Sequence, residues 1–237
     1  MTYSQVSKAG AREINEDKAV CVQRDGNYCF AVADGLGAHG KGEAAAGILA
    51  GVFDREFGLA HESNSAFLAR VFNMAQAEII SSRRKADEMK TTCVALSIIG
   101  GRYLWGHIGD SRLYYFHKGK LRKRTLDHSV PQMLVLSGEI GEDDIRRHPD
   151  RGKLLRAMGD DWDVRQYELS KEKRISKNDA FLLCTDGFWE YISDEMIARA
   201  LKDSGDASGW LEAMLSVVEE NGGNHSMDNY TAITVIA

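Results

Sequence analysis

Proline is nearly absent: Pro131 and Pro149 are the only two in 237 residues, and both fall in one stretch, 127–159. Cysteine is scarce too. Cys21, Cys29, Cys93 and Cys184 form no C-x-x-C pair and no zinc-ligand spacing, which argues against a cysteine-held zinc site. Three of the four lie in apolar runs and read as reduced thiols buried in strands, which suits a reducing cytoplasm. No apolar run is long enough to span a bilayer, and the first residues lack the apolar core of a signal peptide. The expectation is a soluble, cytoplasmic chain with no membrane partner. No basic block exceeds the run Arg83-Arg84-Lys85 and the net charge is −5, which argues against a general nucleic-acid binder.

What remains is ordinary for a globular protein: 43% hydrophobic and 27% charged residues, in a chain long enough to bury a sizeable core. Length alone allows one large domain or two small ones.

One arrangement recurs. Residues 28–33 form an apolar, strand-forming run that stops at Asp34, followed by Gly35, Gly37 and Gly40 and then by Gly42-Glu43 at the head of an alanine-rich helical segment. Residues 103–109 run into Asp110-Ser111, and 179–185 into Asp186-Gly187. Asp228-Asn229 precedes the β-branched run 230–236, and Glu16-Asp17 precedes 18–23. A single aspartate at a strand end is a common turn residue. Several of them, each beside an apolar run, suggest carboxylates converging on a hard cation.

The six acids Glu16, Asp17, Asp34, Asp110, Asp186 and Asp228 offer oxygen ligands, which select Mg²⁺ or Mn²⁺ over zinc. Without cations such a cluster would repel itself and partly protonate. Two ions can lower the pKa of a bridging water and clamp both ends of an in-line displacement. Arg12 shares a loop with Glu16 and Asp17, and its guanidinium suits bidentate binding of phosphate. The residues themselves therefore point to a metal-assisted phosphoester hydrolase.

Strands are predicted at 2–8, 18–23 and 28–33, the last two joined by the hairpin signal Asp25-Gly26. Helices are predicted at 43–57 and 65–84, the second led by capping oxygens in Ser63-Asn64-Ser65. Strands at 92–99, 102–108, 112–117 and 121–125, separated by glycine turns, read as an antiparallel meander. Residues 127–159 read as a surface excursion with a short helix at 130–136 that Gly138 can stop. A strand at 164–169, another at 180–184, and helices at 194–201 (capped by Ser193) and 207–220 (capped by Asp206) follow. Runs apolar on both faces favour a helix-covered parallel sheet, whereas the hairpins favour antiparallel pairing. A sandwich of two antiparallel sheets with helices outside satisfies both.

The ordered set Arg12 with Asn15-Glu16-Asp17, residues 32–37 (VADGLG), Thr91-Thr92, Gly109-Asp110-Ser111-Arg112, Asp127-His128-Ser129, residues 184–187 (CTDG) and Asp228-Asn229 resembles the metal-dependent protein serine/threonine phosphatases, the protein phosphatase 2C family, in its short bacterial form. The resemblance implies an α+β fold, a four-layer α-β-β-α sandwich, as a single catalytic domain over 1–237 with 127–159 as a flap beside the site. It implies hydrolysis of phosphoserine and phosphothreonine by a metal-bridging water or hydroxide, opposing a serine/threonine kinase, with phosphorylated proteins as partners and a monomeric chain. By position, Asp34 would bridge two core Mn²⁺ or Mg²⁺ ions, with the Gly35 carbonyl on one. Asp186 and Asp228 would hold the other, and Glu16 and Asp17 would act directly or through water. Asp110 would share a third, weaker ion with Asp186, and Arg12 would bind the substrate phosphate. Arg12, Asp34 and Asp186 would carry the catalysis. Leu36 stands where many eukaryotic members place a histidine as general acid. His39 reads as a loop hydrogen-bonder, His128 as a residue that caps or orients the flap, and Trp105 and Trp189 as core. Two rivals are a pseudophosphatase that binds phosphoproteins without turnover, and a phosphatase with an aspartyl nucleophile. The second lacks its Asp-x-Asp pair at both Asp34 and Asp186.

Overall fold

The computed structural model describes residues 1–37, 41–58, 63–84, 88–223 and 227–237. His39 and Gly40 lie outside the described residues. In chain order the strands are β1 (Thr2–Lys8), β2 (Lys18–Arg24), β3 (Asn27–Ala33), β4 (Gly35–Leu36), β5 (Lys90–Thr91), β6 (Cys93–Ile99), β7 (Arg102–Ile108), β8 (Arg112–His117), β9 (Lys120–Arg124), β10 (Glu168–Leu169), β11 (Lys173–Arg174), β12 (Asp179–Cys184) and β13 (Tyr230–Ile236). The helices are α1 (Lys41–Glu56), α2 (Asn64–Ser82), α3 (Val130–Ser137), α4 (Asp186–Trp189), α5 (Asp194–Asp203) and α6 (Ala207–Gly222), with a 3₁₀ turn at Glu142–Arg147.

Two antiparallel sheets lie face to face, one in the order β1-β13-β12-β8-β9 and the other β10-β7-β6-β3-β2, with β11 also paired to β7. The two-residue side-chain period, with both faces covered, explains why the central strands β3, β6 and β12 are apolar along most of their length. On β3, Phe30 and Val32 point between the sheets, while Cys29, Ala31 and Ala33 point toward α1 and α2. On β12, Phe181 and Leu183 face the other sheet, while Leu182 and Cys184 join a separate cluster with Trp210 and Met214 of α6. Each sheet is thus covered on both faces, giving the four-layer α-β-β-α order. Helix starts follow their caps: Ser63, Ser193 and Asp206 each accept from the backbone N–H three residues on.

Three hairpin turns, at Asp25-Gly26, Gly100-Gly101 and Lys118-Gly119, carry positive φ at both central residues, matching the right-handed strand twist. The strands from 92 to 125 do not form one meander. β6 and β7 pair in one sheet, β8 and β9 in the other, and the chain crosses between them at Gly109-Asp110-Ser111. Two independent hairpins leave the same local pattern in the sequence as one meander. The strand expected at 164–169 is confined to Glu168–Leu169, because pairing at that sheet edge extends only to His107 and Gly106 of β7. Within 127–159 the helix runs Val130–Ser137 and ends at Gly138 with φ +81°.

Candidate functional site

The acids gather where the strand ends of both sheets open on one side. Asp34 follows β3, and its backbone is held at both ends by the threonine pair. Its N–H donates to Thr92 Oγ1 (3.0 Å), and its carbonyl accepts from the Thr92 N–H (2.8 Å) and Thr91 Oγ1 (2.9 Å). Gly35 passes so close to Gly42 that a Cβ would lie 2.3 Å from that residue's carbonyl, so only glycine lets α1 start against the strand end. The N-terminus of α1 is completed by Glu16, whose Oε1 accepts from the Glu43 N–H at 3.3 Å.

Asn229 staples the opposite wall. Its Oδ1 accepts from the Glu16 N–H (2.8 Å), and its Nδ2 donates to the carbonyls of Ala9 (2.8 Å) and Ile14 (2.9 Å). Every polar atom of this amide is spent on fixing the 9–17 loop to the start of β13. Asp186 begins α4, and its Oδ1 accepts from the Gly187 N–H at 2.6 Å.

A cavity of about 540 Å³ lies at this point. Among the expected site residues, Arg12, Glu16, Asp34, Gly35, Asp186 and Asp228 line it. Leu36 lines it too, as does Gly152 from the 127–159 stretch. Asp17 and Asp110 are not on its wall; they are buried behind it, 2% and 4% exposed. Arg12 stands at the mouth, half exposed, and donates from Nη2 to Asp228 Oδ2 at 2.9 Å.

The electrostatics are those of a cluster short of positive charge. Burial, then the charges of Asp186, Asp17, Asp110 and Asp228, pushes the Asp34 carboxyl well above its usual range. Burial and the charges of Asp110, Glu190, Asp228 and Asp17 do the same to Asp186. Burial lifts Asp17 to about 7 despite the hydrogen bond that the Thr185 hydroxyl donates to it. Burial lifts Asp110 to about 7 as well, with the charge of Asp127 adding to it. Asp17 Oδ1 and Asp110 Oδ1 are buried with no hydrogen-bond partner among the described residues. Orphaned carboxylate oxygens beside mutually repelling acids are what divalent cations would satisfy, and the all-oxygen donor set fits Mn²⁺ or Mg²⁺.

Another group of potential ligands lies elsewhere. Among the described residues, His107, His128 and Glu168 bring ligand atoms within 4.8 Å of one another. Their geometry does not suit an ion, because the two imidazoles stack with centroids 4.8 Å apart and planes only 14° apart. Lone pairs of parallel rings run side by side instead of converging. His107 Nε2 is also engaged by the Leu126 carbonyl (2.9 Å) and His128 Nδ1 by the Gly109 N–H (3.1 Å).

Sequence reasoning gave no role to Glu190, whose charge bears on Asp110 and Asp186 and which pairs with Arg151 at 2.9 Å. Its signal was its place four residues after Asp186, as the residue that caps the same short helix. Nor did it find the buried pair of Arg112 and Asp127, or the Thr185 hydroxyl that donates to Asp17 Oδ2 at 2.9 Å. Trp105 and Trp189 are buried, as expected.

A sequence profile described as protein phosphatase 2C matches residues 5–230. The serine/threonine protein phosphatase PstP of Mycobacterium tuberculosis is 32% identical over 206 residues, covering 85% of this chain and 39% of PstP. The chain thus spans well under half the length of that relative. The serine/threonine phosphatase stp of Listeria monocytogenes is 28% identical over 233 residues, covering 94% of this chain and 90% of the relative. Among solved structures, the catalytic domain of PstP in complex with two manganese ions superposes with a TM-score of 0.82 at 28% identity, covering 98% of this chain and 96% of that one. The serine/threonine phosphatase Stp1 of Staphylococcus aureus gives a TM-score of 0.87 at 25% identity, covering 99% and 94%. Profile, relatives and four-layer fold agree: the chain belongs to the protein phosphatase 2C family.

Proposed function

We propose that this chain is one catalytic domain that hydrolyses phosphoserine and phosphothreonine in proteins, opposing a serine/threonine kinase as a cytoplasmic monomer. The observation that carries the reading is the cavity walled by Glu16, Asp34, Asp186 and Asp228 with Arg12 at its mouth. The names of its relatives support the same activity. Asp34 and the Gly35 carbonyl, with Glu16, Asp17, Asp186 and Asp228, would hold two Mn²⁺ or Mg²⁺ ions, and Asp110 with Asp186 a third. Bound there, the ions supply Lewis acidity and a water acidified toward neutral pKa.

The chain's own residues do the rest. Arg12 exchanges its hold on Asp228 for the substrate phosphate, presenting two parallel N–H donors to two oxygens. Asp34 and Asp186 stand half-buried in the cavity wall, where less water competes for their charges than at an open surface. Asn229 and the Thr91-Thr92 pair keep the acid-bearing backbones from shifting when substrate enters. The 127–159 stretch, which reaches the cavity at Gly152, serves as the flap and touches residues flanking the phosphorylated one. Phosphate release from a phosphothreonine peptide, assayed in chelator and after addition of Mn²⁺ or Mg²⁺, tests the proposal. Activity only with metal is expected, and full activity in chelator sinks it.

A further inference from the structure

Asp110 lies at the crossing between the sheets, and one of its carboxylate oxygens, Oδ1, is buried without a hydrogen-bond partner among the described residues. The position of that carboxylate follows the backbone that carries it, and the backbone is gripped by residues outside the cavity. Gly109, at φ +94° with Thr92 close against it, donates its N–H to His128 Nδ1 at 3.1 Å. The Gly109 carbonyl accepts from the His128 N–H at 2.9 Å. The Asp110 carbonyl accepts from Trp189 Nε1 at 3.0 Å. The Arg112 guanidinium lies 3.4 Å from the Trp189 ring centroid and grips Asp127 through two hydrogen bonds of 2.9 and 2.7 Å. Ser111 Oγ meets Thr92 Oγ1 at 2.7 Å, the same oxygen that accepts from the Asp34 N–H. One hydroxyl thus links the two acid-bearing turns.

Within this frame the His128 imidazole has one defined chemical state. An amide N–H donates to Nδ1, so Nδ1 carries the lone pair and the ring hydrogen sits on Nε2, facing Glu168 Oε1 at 3.4 Å. The stacked His107 ring covers one face. A neutral acceptor is held at one point, against the amide that precedes Asp110.

We propose that His128 is a positioning residue for Asp110. Its Nδ1, locked on the Gly109 amide, sets where the Asp110 carboxylate stands and ties the first residues of the 127–159 stretch to the acid cleft. The proposal rests on reading Asp110 as an ion-binding acid in phosphoester hydrolysis. Losses of about tenfold to a hundredfold are typical when a group that orients a ligand is removed. A misplacement of about 1 Å has effects of similar size.

Three variants test it. His128→Asn keeps an acceptor at the δ position, whereas His128→Leu has the same branching and no acceptor. His128→Gln, whose amide lies one atom farther out, replaces the leucine variant should that one not fold. In the metal-free protein, the Gly109 amide proton should exchange at least about tenfold faster in His128→Leu and at the wild-type rate in His128→Asn. With Mn²⁺ and a phosphothreonine peptide, His128→Leu should lose about tenfold to a hundredfold in kcat with KM little changed. His128→Asn should recover most of that loss. In an Asp110→Ala background, His128→Leu should add no further loss, because it acts through the missing carboxylate. Equal kcat losses for the Asn and Leu variants, or a full multiplicative loss on top of Asp110→Ala, overturns the proposal. Were the wild-type chain inactive on every phosphopeptide, the phosphatase reading would fail. The clamp would still be decided by amide exchange, and an unchanged Gly109 rate in His128→Leu would refute it.

Discussion

Replacing Asp110 by asparagine should stabilise the metal-free protein while impairing the enzyme. The side chain keeps its shape but cannot ionise. In the metal-free fold its carboxyl is raised from 3.8 to about 7, by burial first and then by the charge of Asp127. The sign follows from proton counting. Between about pH 4 and about pH 7 the folded chain holds a proton that the unfolded chain has released, so stability falls as pH rises through that window. At pH 8 the cost is complete. At about 1.4 kcal/mol per unit the rise corresponds to roughly 4 kcal/mol. Relaxation of neighbouring side chains lowers this toward about 2 kcal/mol, since like charges can move apart. For a chain of this size that is a melting-temperature gain of at least ~4 °C. The assay is thermal unfolding in chelator at pH 8 and at pH 4.5. The gain should be present at pH 8 and largely gone at pH 4.5, where wild-type Asp110 is protonated when folded and close to its unfolded midpoint. Saturating Mn²⁺ should reverse the order at pH 8, because wild type then gains a ligand-linked stabilisation that the variant partly lacks. A variant less stable than wild type in chelator at pH 8, or a gain independent of pH, would refute the reasoning.

Three further outcomes are expected. Arg12→Lys should lower kcat/KM on phosphopeptides about tenfold or more, chiefly through KM, because an ammonium cannot form two parallel hydrogen bonds to phosphate; steady-state kinetics check it, and unchanged kinetics for Arg12→Ala would leave Arg12 only its surface pair with Asp228. Asp127→Ala should cost about 3–5 kcal/mol in urea unfolding, since it strands the buried guanidinium of Arg112; a loss under 1 kcal/mol would mean water reaches that pair. Replacing Glu142, Asp143 and Asp144 together by alanine should reorder phosphopeptide preferences while leaving a small aryl phosphate nearly unaffected; equal losses on both substrates would assign the 3₁₀ turn to support of the acid cleft.

Local chemistry was legible where it is written in neighbouring residues. Ser63, Ser193 and Asp206 stand before helical periodicity and cap the helices they precede. The strand-end acids could be found because an acid beside an apolar run recurs along the chain, although any one of them alone would read as an ordinary turn residue. Long-range pairing was not legible. Nothing near Gly109 in the sequence says that β7 and β8 belong to different sheets, since either topology needs a glycine turn and an apolar strand on each side. The same holds for the contacts that position the acids. Arg112 meets Asp127 and Trp189, and Asn229 meets Ala9 and Ile14, across separations that no local period encodes. The order of the acids could be read in the chain; their burial, which shifts their protonation, emerged only from the fold.

On the proposed function, the cleft of Asp34, Asp186 and Asp228 releases phosphate from phosphoproteins only when divalent ions fill it. The most direct measurement is a single titration of metal-free protein with Mn²⁺, following ion binding by calorimetry and phosphate release from a phosphothreonine peptide on the same samples, for wild type and Asp34→Asn. Turnover in wild type should rise with occupancy of at least two sites, while Asp34→Asn stays folded, binds fewer ions and loses nearly all kcat. Binding of two ions and of phosphopeptide without release of phosphate, or undiminished turnover in Asp34→Asn, would contradict it.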